Sequence, residues 1–317
     1  MPGSDTPGRI AYLGPPGTFS EQALRSEPDL ALGDHVEYPS IPDVIDAVAS
    51  AEVELGLVPL ENAIDGAVTA TLDQLAFEVD LYIQREVVIA VTMNLLGVPG
   101  ATLADIERVV SIPVATAQCH GFLRKELPHA QHLAATSPAE AARALADAPD
   151  RTTAAIGPAR AGEVYGLEVL AADIEDHPEN QTRFGLLARP DQGIPAPTGH
   201  DKTSIVVFQA ADQPGSLLAI LQEFAARSIN LTNLHSRPTK KGLGDYCFMI
   251  DLEGHIATDV IADCLRELKS KQADVKFLGS FPAAGAHGPS VRRDAEASWR
   301  AADGWLQSLR AQVPPGR

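Results

Sequence analysis

The chain has 317 residues, with 42 Asp and Glu against 25 Lys and Arg, and a formal net charge of −17. The imbalance lies wholly in residues 1–189, which hold 28 acidic and 11 basic residues, whereas residues 190–317 hold 14 of each. An acidic chain without a basic run excludes nucleic acid and anionic membranes as partners, because phosphate contacts need clustered Lys and Arg.

Aromatic residues make up only 5% of the chain, so Val, Leu, Ile and Ala must build its cores. Cys119, Cys247 and Cys264 are odd in number and widely spaced, which gives no disulfide framework. No signal-like apolar core occurs in residues 1–9, and the most apolar stretch, Val87 to Val98, is too short to span a bilayer. A cytoplasmic protein is expected.

From Arg9 onward, short apolar runs alternate with segments of helical period. Strands are predicted at Ile10 to Leu13, His35 to Tyr38, Leu55 to Pro59, Leu81 to Thr92, Arg108 to Ser111, Gln131 to Ala134, Thr153 to Ile156 and Leu167 to Ala171. Helices are predicted at Ser20 to Arg25, Ile41 to Ala51, Ala70 to Phe77, Ala117 to Leu127, Pro138 to Asp147 and Pro158 to Tyr165. This alternation points to βαβ units, a mostly parallel sheet and two lobes. Turn formers dominate residues 190–199 and mark a domain boundary. Beyond it the order is β-α-β-β-α-β: strands at Thr203 to Gln209, Asn230 to Ser236, Tyr246 to Leu252 and Val275 to Leu278, with helices at Gly215 to Arg227 and Thr258 to Lys269. That is the ferredoxin-like split. After Pro282 either a short helix carrying Trp299, Trp305 and Leu306 docks or the tail is loose.

The first strand runs into Gly14-Pro15-Pro16-Gly17-Thr18-Phe19-Ser20-Glu21, where Thr18 with Glu21 fits a capping box. Neither a P-loop nor a dinucleotide fingerprint is present. His129 and His132, near Cys119 and His120, lack a fourth ligand and read as surface histidines. Cys119 reads as a small buried residue, Ser20 has no nucleophile-elbow context, and Asp73, Glu78 and Asp80 read as a solvated face.

The glycine turn and four further segments, in order, resemble the prephenate dehydratase family. They are Glu61-Asn62-Ala63, with Ala63 where Ser is usual; Ser111-Ile112-Pro113 followed by Gln118-Cys119, with Ile112 replacing His; Asn180-Gln181-Thr182-Arg183-Phe184; and the paired segments Asp212 to Leu217 and His235 to Pro238 of an ACT domain, where His235 replaces Glu. The match runs from about Arg9 to Phe281.

The resemblance implies an α/β catalytic domain at residues 9–189 whose two lobes resemble a type II periplasmic binding protein, the lobes being 9–77 with 176–189, and 78–175. It further implies a linker at 190–200, a ferredoxin-like ACT regulatory domain at 201–280 and a tail at 281–317. The implied reaction turns prephenate into phenylpyruvate, with loss of carbon dioxide and water, and without cofactor or metal, since aromatisation drives it. L-phenylalanine is the implied effector, and a homodimer or homotetramer the implied assembly.

As catalytic residues the resemblance implies Thr182, Arg183, Glu61 and Asn62, with Thr182 acting on the departing hydroxyl. Glu61 serves as an acid only if burial raises its pKa. Thr18, Ser111, Gln118 and Phe184 are the implied substrate contacts; Asp212, Gly215, Ser216, Leu217, His235, Ser236 and Arg237 are the implied effector contacts. Residues 26–84 contain no Lys or Arg, so the first lobe must hold anions with neutral donors. Two alternatives stay open: an arogenate dehydratase, and a non-catalytic ligand-binding or sensor protein of the same fold. Deletion of residues 200–317 is expected to spare some catalysis.

The implied substrate is a dianion and the global field is adverse, so its capture would depend on local groups. The association rate is therefore expected to stay flat or rise slightly as salt is added, which stopped-flow measurement from low to physiological ionic strength checks; a steep fall would contradict it.

Overall fold

The structure is a computed structural model that describes residues 8–209, 213–239, 245–285, 301–302 and 304–312. In chain order it opens with β1 (Arg9–Leu13), α1 (Phe19–Ser26), β2 (Asp34–Tyr38), α2 (Ile41–Ala49), β3 (Leu55–Asn62), β4 (Gly66–Ala67) and α3 (Thr69–Asp73), which runs into a π-helical turn at Gln74–Glu78. Then follow β5 (Tyr82–Ala90), β6 (Asn94–Gly97), β7 (Arg108–Ser111), α4 (Pro113–Gln118), α5 (His120–Glu126), β8 (Gln131–Ala134), α6 (Pro138–Asp147), β9 (Thr153–Gly157), α7 (Ala159–Tyr165), β10 (Glu168–Ala171) and β11 (Gln181–Ala188). The last part comprises β12 (Asp201–Phe208), α8 (Ser216–Ala225), β13 (Leu231–Pro238), β14 (Tyr246–Glu253), α9 (Asp259–Lys271) and β15 (Asp274–Pro282).

Two α/β lobes result. The first is built on a sheet of order β2-β1-β3-β11-β5 and the second on a sheet of order β10-β6-β9-β7-β8. Pairings of β1 with β2 and β3, and of β7 with β8 and β9, are parallel; β11 runs antiparallel to β3, and β6 antiparallel to β9 and β10. The expected mostly parallel sheet is therefore corrected to two mixed sheets. The apolar run Val87 to Val98 holds the end of β5 and all of β6, broken between them at residues 91–93. β11 is a strand that periodicity did not predict, because its polar start and Gly185 hide the alternation. The helix expected at Ala117 to Leu127 is two short helices meeting at Cys119.

Each lobe has its own core. Ile10, Tyr12, Leu24, Leu57, Val87 and Phe184 pack in the first, and Met93, Leu95, Val109, Leu123, Ile156 and Ile174 in the second. The C-terminal sheet, β13-β14-β12-β15, is wholly antiparallel and buries Ile205, Val207, Phe248 and Ile250 against Ile220 and Phe224 of α8 and Ile261 and Leu268 of α9. This is the expected split βαββαβ fold.

By compactness the chain divides into two units, and the division does not follow the sequence boundary. The residues up to Gln74 together with Val87–Ala188 form one unit; Leu75–Glu86 and the chain from Arg189 onward form the other. The expected lobe border at residue 78 is thus corrected: β5 lies in the first sheet, and its first half belongs with the C-terminal unit. Within that unit Phe77 meets Phe208 edge to face at 6.3 Å, and Tyr82 meets Phe277 at 5.3 Å. Lys276 Nζ donates to the Val79 carbonyl at 2.6 Å, and Lys202 Nζ lies 2.8 Å from the buried Glu86 carboxylate. Leu75, Leu81 and Ile83 are buried. Deletion of residues 200–317 would remove the C-terminal part of the unit in which these apolar side chains are grouped. Residues 304–310 are helical, with Trp305 and Leu309 exposed; Trp299 lies outside the described residues.

Gly279 tests the arrangement. Its φ is +139°, and a Cβ there would collide with the Ile83 carbonyl and lie 3.0 Å from the Ile83 nitrogen. Because backbone cannot swing aside as a side chain does, Gly279→Ala is expected to cost roughly 3 kcal/mol, at the upper end for overpacking; urea unfolding of the full chain checks it.

Candidate active site

A group of polar, mostly neutral residues meets where the two lobes come together. At the end of β3, Asn62 turns the chain: its Oδ1 accepts from the backbone N–H groups of Ile64 and Asp65, both at 2.9 Å. This is an Asx turn, which an Asn side chain supports by standing in for backbone. Gly66, at φ +80°, completes the reversal into β4. Two backbone donors on Oδ1 fix the amide's orientation, so Nδ2 must point the other way. There it donates to Asn180 Oδ1 at 2.9 Å, Thr182 Oγ1 at 3.0 Å and the Gln181 carbonyl at 3.3 Å.

Since Thr182 Oγ1 accepts from Asn62, its own proton is left to donate. Thr182 is half-buried at the start of β11, directly across from Asn62 in the ladder. Asn180 is 1% exposed, and its Nδ2 donates to Gln118 Oε1 at 3.3 Å. Gln118 closes the ring from the second lobe by donating Nε2 to Asp65 Oδ2 at 3.3 Å.

The lobes also meet at the start of α1. Thr18 caps the helix by accepting from the Glu21 N–H at 3.4 Å, while its hydroxyl donates to the Leu13 carbonyl at 2.9 Å. The buried Glu21 carboxylate accepts from the Gly17 N–H at 2.6 Å, from Arg25 Nε at 2.7 Å and, from the second lobe, Arg160 Nη2 at 3.0 Å. Burial opposes its charge, but the Gly17 N–H and the two guanidinium groups outweigh that and hold the carboxyl below its usual range. A lowered value means stability present at neutral pH and lost as pH falls through it.

Several residues expected at the site lie elsewhere. Strand alternation puts Thr182 and Asn62 on one face of the β3–β11 ribbon and Arg183 and Glu61, also cross-strand partners, on the other. Glu61 Oε2 lies 3.4 Å from Arg183 Nη2, so the residues expected as acid and as substrate clamp form an ion pair with each other. Ser111 is wholly buried with its hydroxyl donated to the Ile156 carbonyl, and Phe184 is a core residue at 2% exposure. Thr18 spends its hydroxyl on the cap. Ile112 packs against the second core.

Asn180 is the participant that was not singled out from the sequence. The available signal was its place two before Thr182, since polar residues at i and i+2 of an extended segment share a face. His129 and His132 are exposed, and among the described residues no cluster fit for a metal ion occurs. Burial pushes the Cys119 thiol up to about 12, so it is no nucleophile.

A family model described as prephenate dehydratase matches residues 10–192, and an ACT-domain model matches residues 203–270. The chain belongs to the prephenate dehydratase family. A prephenate dehydratase of Mycolicibacterium vanbaalenii is 42% identical over 321 residues, 96% of this chain and 99% of that protein. Among solved structures, a prephenate dehydratase from Arthrobacter aurescens in complex with L-Phe is 36% identical, covers 96% of this chain and 99% of its own, and superposes with a TM-score of 0.86. GqqA, described as a novel type of quorum-quenching acylase, is 30% identical, covers 87% of this chain and 98% of its own, and superposes with a TM-score of 0.78. The Asn62–Thr182 pair therefore sits in a prephenate dehydratase domain.

The ACT domain holds a cavity of about 560 Å³ lined by Gly215, Ser216, Leu217, Ser236, Tyr246 and Phe248, among others. Four of the expected effector contacts line it. His235 and Arg237 flank Ser236 along β13, project from the opposite face of the strand and do not line this cavity. Asp212 lies outside the described residues.

Proposed function

We propose that the chain converts prephenate to phenylpyruvate, with Thr182 as the group that meets the departing hydroxyl. The observation that supports this is the fixed orientation of Asn62, which makes Thr182 Oγ1 an acceptor and leaves its own proton to donate. As the ring carboxylate leaves as carbon dioxide, its electron pair enters the ring and the C–O bond to the 4-hydroxyl breaks. The oxygen departs with that bond's electrons and must gain a proton to leave as water. A hydrogen bond from Thr182 stabilises the charge that develops on it. Asn62 donating into the same oxygen polarises Thr182 and strengthens that bond. A hydroxyl is a weak acid, so Thr182 orients and relays the proton rather than supplying it unaided. Neutral amides around the site avoid over-stabilising the carboxylate that has to leave.

The same geometry disfavours an acylase: the neighbour of Thr182 is an amide donor, not a base, so the hydroxyl is not activated for attack. The site supports arogenate less directly, and a sensor role would make no use of a polarised hydroxyl. L-phenylalanine is the proposed effector, in the cavity under α8, and the exposed Leu217, Leu218, Leu234 and Tyr246 support association of ACT domains into a homo-oligomer. Three free, buried cysteines are consistent with the cytoplasm.

Purified chain with no added cofactor is expected to turn prephenate into phenylpyruvate, identified by mass, faster than it turns over arogenate. Thr182→Ala is expected to lower kcat by about 100-fold or more, the range of general-acid contributions, with Thr182→Ser retaining most of it. Stoichiometric binding without consumption would instead favour the sensor. In calorimetry L-phenylalanine is expected to bind the full chain, and Ser236→Trp, which fills the cavity, to weaken it at least about tenfold.

A further inference from the structure

Glu21 has more donors than a helix cap requires. Arg25, one turn on in the same helix, would suffice as a counter-charge, and Thr18 already caps α1. Arg160 comes from α7 in the opposite lobe and reaches the same oxygen, Oε1, with Nη2 at 3.0 Å and Nε at 3.3 Å. Three further contacts cross at this point. Tyr165 donates its hydroxyl to the Pro16 carbonyl at 2.8 Å. Gly17, at φ +85°, approaches α7 so closely that a Cβ would lie 2.9 Å from Ala161 Cα. Phe19 packs against the cores of both lobes.

We propose that Glu21 and Arg160 form a latch that holds the two lobes at the spacing in which the Asn62–Asn180–Gln118 network assembles, making Glu21 a positioning residue. The carboxylate acts on two things at once. Through Gly17 it fixes the turn that follows β1; through Arg160 it fixes the second lobe against that turn. A buried carboxylate joined to a guanidinium by charge-assisted hydrogen bonds is a strong tie only while both partners are present. The closed spacing is then populated without substrate, so a dianion entering an acidic protein does not have to draw the lobes together with its own charge. Apparent affinity scales with the fraction of molecules in the competent state, so a broken latch shows in KM before kcat.

The kinetic part of this inference rests on the dehydratase reading; the spacing of the lobes does not. Spin labels at Leu32→Cys in the first lobe and Leu133→Cys in the second occupy exposed positions, while the native cysteines are buried. In the full chain, Glu21→Gln and Arg160→Gln are each expected to lengthen and broaden the label-to-label distance, and Glu21→Asp to keep it near the wild-type value. With prephenate, both Gln variants are expected to raise KM about tenfold with kcat within about threefold, and the double variant to be no worse than the poorer single one. An unchanged distance in both Gln variants, or a kcat loss above tenfold at constant KM, overturns the latch. Should Glu21→Gln fail to fold, Arg160→Gln decides the matter from the more exposed partner. A wild-type chain that leaves prephenate untouched would remove the dehydratase reading and leave the distance measurement to decide the latch.

Discussion

The side-chain amide of Asn62 bonds to five groups: it accepts from the backbone of Ile64 and Asp65 and donates toward Asn180, Gln181 and Thr182. Two protons shared among three acceptors leave no alternative rotation, because a flipped amide would set its oxygen against those acceptors and its NH2 against two N–H groups. Much follows from that one orientation. It ends β3, starts the reversal into β4, ties down the start of β11 and makes Thr182 Oγ1 an acceptor, leaving its proton to donate. Asn180 then carries the same constraint to Gln118 in the other lobe, so Thr182 and a contact between the lobes share one network.

Charge acts as a restriction throughout. With 28 acidic and 11 basic residues before position 190, the catalytic part cannot commit many cations to a dianionic substrate. Three of them are engaged by carboxylates: Arg183 with Glu61, and Arg25 and Arg160 with Glu21. The network around Thr182 is built from the amides of Asn62, Asn180 and Gln118, with the Asp65 carboxylate as an acceptor. The acidic composition, which at first excludes partners, comes to describe how the site has to work.

The elements with clean periodicity were legible in the sequence. β7, β8 and α6 fall where alternation and capping place them, Ser137 accepting from the Glu140 N–H at α6 as an N-cap should. The βαββαβ order of the ACT domain was equally plain. What was not legible has physical causes. β11 opens on the polar Gln181, Thr182 and Arg183 and is broken by Gly185, so its strand character shows in its pairing with β3, a contact 120 residues distant in sequence. Thr182 and Arg183 are adjacent in the motif, yet a strand sends neighbours to opposite faces, and a motif does not state which face meets the cleft. The same alternation separates Ser236 from His235 and Arg237. That residues 75–86 serve as a packing surface for the C-terminal unit is a tertiary fact with no local signature.

The central claim is that Asn62 directs the Thr182 proton toward substrate, and Asn62→Asp tests it most directly. The substitution keeps the size and the Asx-turn acceptor but replaces the donor beside Thr182 with an acceptor, which would draw that proton back into the protein. Steady-state turnover of prephenate by the folded variant, verified by circular dichroism, is expected to fall by about 100-fold or more in kcat. Turnover within tenfold of the wild-type chain would contradict the account.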